Sequence, residues 1–152
     1  MESREEVAVH GLTREQTLAV NAGVIETFRA NGGVMPEGHP MHGNPTLLLT
    51  MTGARSGRTL TSPLTYTPDG EAFIVMASAG GSPTLPAWGH NLRANPDVVL
   101  EVGTEAFSAT AIETDGDERE RAFGLMSDAL PRFADYQASV ERQIPLFRLV
   151  RR

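Results

Sequence analysis

The sequence contains neither cysteine nor lysine, and all thirteen of its basic residues are arginine. The lack of cysteine excludes disulfide bonds, thiolate nucleophiles, iron–sulfur clusters and cysteine-based zinc sites. No apolar run approaches the about 18 residues needed to cross a bilayer. The charged N-terminal segment also lacks the layout of a signal peptide. We therefore expect a cytoplasmic protein without stable membrane insertion, which leaves peripheral membrane association open.

Acidic residues are scarce in the middle of the chain. Residues 38–96 contain only Asp69 and Glu71 beside three arginines, although the net charge of the whole chain is −6. An acidic protein lacks the broad basic face that nucleic-acid binding requires. An acid-poor region can still concentrate one small anion. The charge pattern therefore favours a small-molecule partner over nucleic acid.

The predicted elements favour an antiparallel fold. Strands rich in β-branched or aromatic residues are predicted at 46–52, 60–67, 72–78, 97–102 and 105–112. Helices are predicted at 13–30, 85–94, 117–130 and 132–140, before a last apolar segment at 144–150. Turn residues at 68–70 and 103–104 indicate hairpins. Because the predicted strands are joined by hairpins and no strand–helix–strand alternation appears, we predict an α+β fold in one domain, 1–152. It is an antiparallel barrel surrounded by helices, with 1–33 as a helical extension.

A basic turn, GARSGR at residues 53–58, links the first two predicted strands. Its glycines permit positive φ, so successive backbone N–H groups can point into one anion-binding concavity. The guanidinium groups of Arg55 and Arg58 can clamp phosphate or carboxylate, and Ser56 adds a donor. A solvated hairpin with surface arginines is the simpler interpretation of this pattern. The turn is not a P-loop, because Gly-Lys-Ser/Thr and a following helix are missing.

A second candidate segment follows the third predicted strand. Residues 76–81 end that strand in small side chains, where a planar ligand can approach the backbone closely. They lead to Trp88, the only tryptophan, which could equally be a core residue. His39 and His42 are close enough to suggest a metal site, but the proline between them and the lack of nearby acids favour loop histidines. No metal is predicted.

Together these residues resemble the deazaflavin-dependent nitroreductase family, whose members use the 5-deazaflavin coenzyme F420. The resemblance covers about residues 28–147. Its motifs are Leu48–Gly53 with Arg55, Ser56 and Gly57, then Pro63-Leu64, Asp69-Gly70, Ala77-Ser78, Gly80-Gly81, Pro86, Trp88, Asn91-Leu92, Ala94–Pro96, Asp135–Gln137 and Ile144-Pro145.

The resemblance implies a split β-barrel related to flavin-mononucleotide-binding split barrels, with F420 in its cleft. The implied activity is hydride transfer from reduced F420 to an electron-poor planar acceptor: an activated C=C bond, a quinone or a nitroaromatic. The implied cofactor-binding residues are Arg55, Ser56 and Arg58 at the anionic tail, Pro63, Leu64, Met76, Ala77, Ser78 and Ala79 around the ring, and Trp88 and Asn91 in a closing segment. The resemblance also allows a homodimer.

Tyr136 and Ser78 are the candidate proton donors, with water or mere packing of Tyr136 as alternatives. The chain departs from the family by lacking basic residues at Ala54, Leu60 and Ala79, and Arg58 is a candidate to compensate. Gly89 and Phe133 stand where relatives have tyrosine, which predicts a larger and less polar substrate side.

Two other functions fit the same sequence. One is a non-catalytic split barrel that binds a deazaflavin, a flavin, haem or a lipid without turnover. The other is an oxidoreductase that uses flavin mononucleotide (FMN), which requires a compact phosphate site and no groove for a long tail. The binding protein is the second choice and the FMN enzyme the third, so FMN is less expected than F420 as the cofactor.

Overall fold

A computed structural model describes residues 13–78 and 84–152. Within these ranges the elements are α1 Arg14–Ala30, β1 Thr46–Thr52, β2 Thr59–Thr65, β3 Thr67–Asp69, β4 Ala72–Met76, α2 Ala87–Ala94, β5 Asp97–Val102, β6 Glu105–Glu113, α3 Gly116–Ala129, α4 Arg132–Ala138 and β7 Leu146–Arg151. None of the helices in these ranges has the length and apolar character needed to cross a membrane.

The seven strands form one antiparallel sheet in the order β2-β1-β5-β6-β7-β4-β3. β2 and β3 follow each other in the chain with only Tyr66 between them, yet they form opposite edges of the sheet. The sheet must therefore curl until its edges approach each other at Tyr66, which produces a half-barrel. Each edge strand contains a proline, Pro63 in β2 and Pro68 in β3. The predicted α+β barrel is confirmed.

The structure divides one predicted strand into two. The sequence predicts a single strand over 60–67, whereas β2 pairs with β1 and β3 pairs with β4. The sequence does not predict this break, because the residues of both halves suit a β-strand equally well. Residue propensity does not reveal which neighbouring strand each half pairs with. The hairpin predicted at 68–70 is confirmed, with Gly70 at φ +60° in its turn.

Alternate strand residues point into the half-barrel and form its main core. In β1 these are Leu47, Leu49 and Met51, all at most 3% exposed. From α2, Trp88 and Leu92 enter the same core at one end. Fully burying a side chain of this size stabilises the fold by about 1.5–3 kcal/mol, so this interior is the main source of stability.

Helices cover the outer face of the sheet in two places. Phe28 of α1 packs on Leu48 of β1. α3 and α4 cover Ile74 and Met76 of β4 through a second cluster that includes Phe133. The outer face of β4 is therefore as apolar as its inner face, and in β1 Leu48 supplies one apolar residue on the outer face between Leu47 and Leu49. This explains the uninterrupted apolar runs at 47–49 and 72–76.

The end of α1 lies against the hairpin between β5 and β6. Gly33, at φ +85°, donates its backbone N–H to the carbonyl of Phe28 at 2.8 Å and so ends the helix. A Cβ atom at Gly33 would lie only 2.6 Å from the Cα of Gly103 in the hairpin turn. Glycine is thus required at residue 33 for two reasons, backbone conformation and lack of space.

Asp69 of β3 joins α3 to two strands of the sheet. Its carboxylate accepts hydrogen bonds from Arg121 of α3 at 2.7 and 3.0 Å and from Arg148 of β7 at 2.9 Å. The hydrogen bonds, first of all that from Arg121, lower the pKa of Asp69 to about 2. The carboxylate is therefore a pH-dependent contributor to stability.

Acid is expected to remove this contribution. An unfolded aspartate has a pKa of about 3.9, so the stabilisation is complete above about pH 5 and is lost as the pH falls towards 2. Because both arginines are partly exposed, we expect Asp69→Asn to cost about 1–2 kcal/mol at pH 7 and about half as much at pH 3. Urea unfolding at both pH values measures this. Asp128→Asn, an exposed carboxylate of α3, is the control, and an equal cost at both pH values would contradict the assignment.

Candidate functional site

Several of the predicted cofactor-binding residues lie at one end of the half-barrel. The antiparallel register brings the end of β1 beside the start of β5, and the end of β4 beside the start of β7. α2 lies across this end, where it sends Trp88 and Leu92 into the core. We call this region the α2 end. It carries the basic turn 53–58 and the strand end 76–78.

The basic turn is held in a defined shape. Gly53 N–H donates to the carbonyl of Arg58 at 2.8 Å, and Gly57, at φ +69°, donates to the carbonyl of Gly53 at 3.0 Å. The backbone N–H of Ala54 donates to Oδ1 of Asn91 in α2 at 2.8 Å. Asn91 therefore ties the turn to α2, which gives this predicted residue a clear structural role.

Only part of the predicted amide concavity remains available to a ligand. The N–H of Arg58 donates to Oγ of Ser56 at 3.1 Å, so that hydroxyl accepts within the turn and retains its proton for donation. The backbone N–H groups of Arg55 and Ser56 have no hydrogen-bond partner in the described ranges. The turn thus offers two backbone donors, one hydroxyl and two guanidinium groups.

The two arginines of the turn differ from most other arginines in the described chain. Guanidinium groups within 4 Å of a carboxylate oxygen belong to Arg29, Arg93, Arg119, Arg121, Arg148, Arg151 and Arg152. The guanidinium groups of Arg55 and Arg58 are exposed and make no hydrogen bond or ion pair with any described residue. Two neighbouring unpaired cations favour an anionic ligand.

Ala77, which follows β4, is buried, and both of its backbone groups are hydrogen-bonded. The N–H of Ala77 donates to the carbonyl of Pro145 at 2.9 Å, and the carbonyl oxygen of Ala77 accepts from Nη2 of Arg142 at 3.1 Å. Ser78 is only 4% exposed, and its hydroxyl makes no hydrogen bond with any described residue. Ala79, which the resemblance also implied, lies outside the described residues.

Arg142 is a residue at this site that sequence reasoning missed. It is half-buried, and burial lowers the pKa of its guanidinium, with neighbouring Arg93 lowering it further. Arg93 itself is paired with Glu113 at 2.8 Å. Arg142 lies in a polar loop without hydrophobic periodicity, so no sequence pattern indicates that it contacts Ala77.

Three other predicted residues have distinct placements. Trp88 is 6% exposed, and its ring centroid lies 6.1 Å from that of Phe147 inside the core, as the alternative of a core residue predicted. Pro63 and Leu64 are adjacent in β2 and therefore point to opposite faces. Leu64 packs against the interior core, while Pro63 pairs with Leu48, whose side chain lies on the outer face.

Tyr136 lies on α4 behind the end of β4. It is partly buried in the cluster that contains Met76, and its ring meets that of Phe133 edge-on with centroids 5.2 Å apart. A Cβ at Gly89 would lie 2.7 Å from a methyl group of Leu85, so the side chain of Leu85 packs against this glycine. The larger substrate side at Gly89 stays a prediction. Phe133 is 6% exposed and supports Tyr136.

The loop histidines hold the chain between α1 and β1. Nδ1 of His39 accepts from the N–H of Met41 at 3.0 Å, and Nδ1 of His42 lies 2.9 Å from the carbonyl oxygen of Met35. Within the described ranges, no group of three or more potential metal ligands comes together. These contacts give both histidines a structural role.

Two surface hollows formed by described residues lie away from the predicted cofactor residues. One of about 390 Å³ is lined by Glu113, Asp115 and Arg121 beside α3. Another of about 410 Å³ lies beside Phe73 and Phe107. Neither of these two hollows is lined by a predicted cofactor-binding residue.

Comparison with known sequences gives a consistent result. The sequence model of the F420H(2)-dependent quinone reductase family matches residues 22–150. An F420H(2)-dependent quinone reductase of Mycobacterium tuberculosis (strain ATCC 25618 / H37Rv) is 40% identical over 119 residues, which is 76% of this chain and 80% of that protein.

Solved structures agree with the sequence matches. An F420-H2 dependent reductase, FDR-A, is 38% identical with a TM-score of 0.65 and covers 69% of this chain and 93% of its own. A protein described as a domain-swapped dimer is 33% identical, has a TM-score of 0.67 and covers 90% of this chain and 95% of its own. A haem storage protein of Vibrio cholerae, 20% identical with a TM-score of 0.53 over 86% of this chain and 89% of its own, shares the fold alone.

Proposed function

The chain belongs to the F420H(2)-dependent quinone reductase family, and from that premise we propose that it transfers hydride from reduced F420 to a quinone-type acceptor. The observation that carries the proposal beyond family membership is the pair of arginines on the basic turn, Arg55 and Arg58, which have no ion-pair partner among the described residues. Nitroaromatics and activated C=C bonds remain candidate acceptors of the same flat, electron-poor kind.

The basic turn fits the anionic tail of F420. The guanidinium groups of Arg55 and Arg58 and the backbone N–H groups of Arg55 and Ser56 have no partner among residues 13–78 and 84–152, so all four are available as donors there. Asn91 fixes the turn, so little conformational entropy is lost when a phosphate or carboxylate binds. Arg58 compensates for the lack of a basic residue at Ala54.

The end of β4 suits the ring of the cofactor. Ala77 and Ser78 present short side chains there, so a flat ring can lie against the backbone. Reduced F420, when bound, supplies the hydride from its ring carbon. The task of the surrounding residues is to hold the ring and the acceptor face to face within about 3–3.5 Å and to exclude water.

A proton must reach the acceptor as well as a hydride. We assign this role to the hydroxyl group of Tyr136, with Ser78 as the second candidate. Met76, the last residue of β4, lies in the same side-chain cluster as Tyr136 and is followed directly by Ala77 and Ser78, which supports the assignment. Phe133 packs edge-on against the tyrosine ring and limits its orientations.

Tyr136→Phe is expected to lower kcat for menadione reduction about tenfold. The substitution removes the proton donor, and water replaces it less effectively. The ring and its packing on Phe133 are retained, so the melting temperature and the Kd for F420 should change little. Steady-state kinetics over a range of pH measure the effect. Unchanged turnover with unchanged substrate affinity would end the candidacy of Tyr136.

The function itself is tested by titration of the purified protein with F420 and, separately, with FMN, using the fluorescence of each ligand. We expect F420 to bind and FMN to bind more weakly. Menadione is then added to the reduced F420 complex, and the reoxidation of F420 is followed by absorbance. The rate of reoxidation should exceed the rate measured without protein.

Each alternative function has its own outcome in this experiment. Tight F420 binding without faster reoxidation would identify a binding protein. Preference for FMN would identify a flavin oxidoreductase, and absence of F420 binding would contradict the proposal.

The relative described as a domain-swapped dimer leads us to propose that this chain forms a homodimer. Analytical ultracentrifugation tests this proposal. We also propose a cytoplasmic location, which cell fractionation tests.

A further inference from the structure

A cluster of polar side chains behind the α2 end joins α4 to the end of β4. Gln137, the residue after Tyr136, uses both atoms of its amide group. Its Oε1 accepts from the N–H of Ile144 at 2.8 Å and from Nη2 of Arg119 at 3.0 Å. Its Nε2 donates to the carbonyl of Arg142 at 2.8 Å. An amide is the side chain that both accepts and donates in this way without carrying charge.

Arg119 supports the amide from α3. It is only 6% exposed, and its Nη2 also donates to the carbonyl of Ile144 at 2.8 Å. Burial lowers the pKa of its guanidinium, and its Nε has no hydrogen-bond partner in the described ranges. A buried arginine of this kind is costly, and an apolar side chain of similar volume would pack at least as well. Its contacts therefore point to fixed geometry rather than to added stability.

The same loop is bonded to β4 on its other side. Arg142 donates to the carbonyl of Ala77, and the carbonyl of Pro145 accepts from the N–H of Ala77. Residues 142–145 are thus held between Gln137 and the end of β4. This path connects the helix that carries Tyr136 to the strand end where we place the ring.

We propose that Gln137 is a positioning residue for the reductase: it sets the distance and angle between Tyr136 and the strand end 77–78. The inference rests on the proposed function. Proton transfer depends steeply on such geometry, and a misplacement of about 1 Å can cost about a hundredfold in rate. Gln137 acts through Tyr136 and makes no contact with the substrate.

Gln137→Glu is the most direct test because it keeps the size and the accepting oxygen but removes the donation to Arg142. We expect kcat for menadione to fall about tenfold, while the Kd for F420 changes less than about threefold because the basic turn is untouched. Gln16→Glu makes the same chemical change at an exposed position at the start of α1, where a glutamate side chain can make the same hydrogen bond to the N–H of Thr13. Its kcat should stay within about twofold of the unmodified protein.

A double-mutant cycle separates positioning from general stability. In the Gln137→Glu background, adding Tyr136→Phe should lower kcat by less than about twofold, because the tyrosine is already misplaced. Hydrogen exchange in the cofactor-free protein gives a readout independent of activity: the amides of Ala77 and Ile144 should exchange faster in Gln137→Glu than in Gln16→Glu.

Three results would overturn the inference. The first is unchanged kcat in Gln137→Glu, and the second is fully additive effects in the cycle. The third is an equal loss of kcat and F420 affinity with a lowered Tm, which indicates a structural role only. If the unmodified protein does not bind F420, the proposed function fails together with this inference, whereas the three results above leave the proposed function standing.

Discussion

The double variant Arg55→Ala/Arg58→Ala is expected to bind F420 about 10–100-fold more weakly than the unmodified protein. Charge-assisted hydrogen bonds to an anion contribute about 1.5–3 kcal/mol each, less where solvent screens them. Both guanidinium groups are exposed and unpaired within the described ranges, so their removal breaks no internal ion pair. Fluorescence titration of F420 measures the loss directly.

Salt dependence and a matched control make this prediction specific. Because the arginines are exposed, the difference in affinity between variant and unmodified protein should narrow as salt is raised from about 0.05 to about 0.5 M. Arg29→Ala/Arg151→Ala removes the same charge, but its arginines pair with Glu101 and Glu105, away from the turn. Equal weakening by both double variants would mean that net charge, and not the turn, attracts the cofactor.

Gly33→Ala is expected to destabilise the protein by at least about 3 kcal/mol, the largest effect on stability that we predict. The left-handed conformation at φ +85° costs an alanine about 1–2 kcal/mol. The added methyl group also lies 2.6 Å from Cα and 2.8 Å from the carbonyl oxygen of Gly103, both of them backbone atoms. This steric clash can be relieved only if α1 or the β5–β6 hairpin moves. Urea unfolding measures the loss.

Gly38→Ala isolates the conformational part of this effect. Gly38 has φ +89°, and a Cβ atom there would meet nothing within 4 Å. We therefore expect a cost of only about 1–2 kcal/mol. If the two variants lose the same stability, the contact between the end of α1 and the hairpin carries no packing constraint.

Local pattern was enough to predict the regular parts of the fold. β1 and β5 begin and end at the residues predicted, because each is an apolar run bounded by turn residues. The capping box of Thr13 and Gln16 likewise marks the start of α1. What pattern could not supply was pairing. The division at Tyr66 depends on which strand lies beside each half, a long-range property that local propensity does not encode.

The candidate site was predictable to a similar extent. The basic turn was found from its glycines and arginines, since both act locally. The exposure of Trp88 could not be judged, because a lone tryptophan suits a core and a ligand site equally well. Arg142 was missed, and Gln137 was named only as part of a motif without a role. The contacts of both residues join α4, the loop before β7 and the residue after β4, and local pattern does not encode such contacts.

The prolines of the two edge strands, β2 and β3, affect the solubility of the protein. An uncovered strand can recruit the same strand from another molecule, which is how sheet proteins begin to aggregate. Pro63 and Pro68 each lack the backbone N–H that a strand of another molecule would need as a hydrogen-bond donor. The protein can therefore keep its sheet open beside Tyr66 without turning that opening into a template for fibrils.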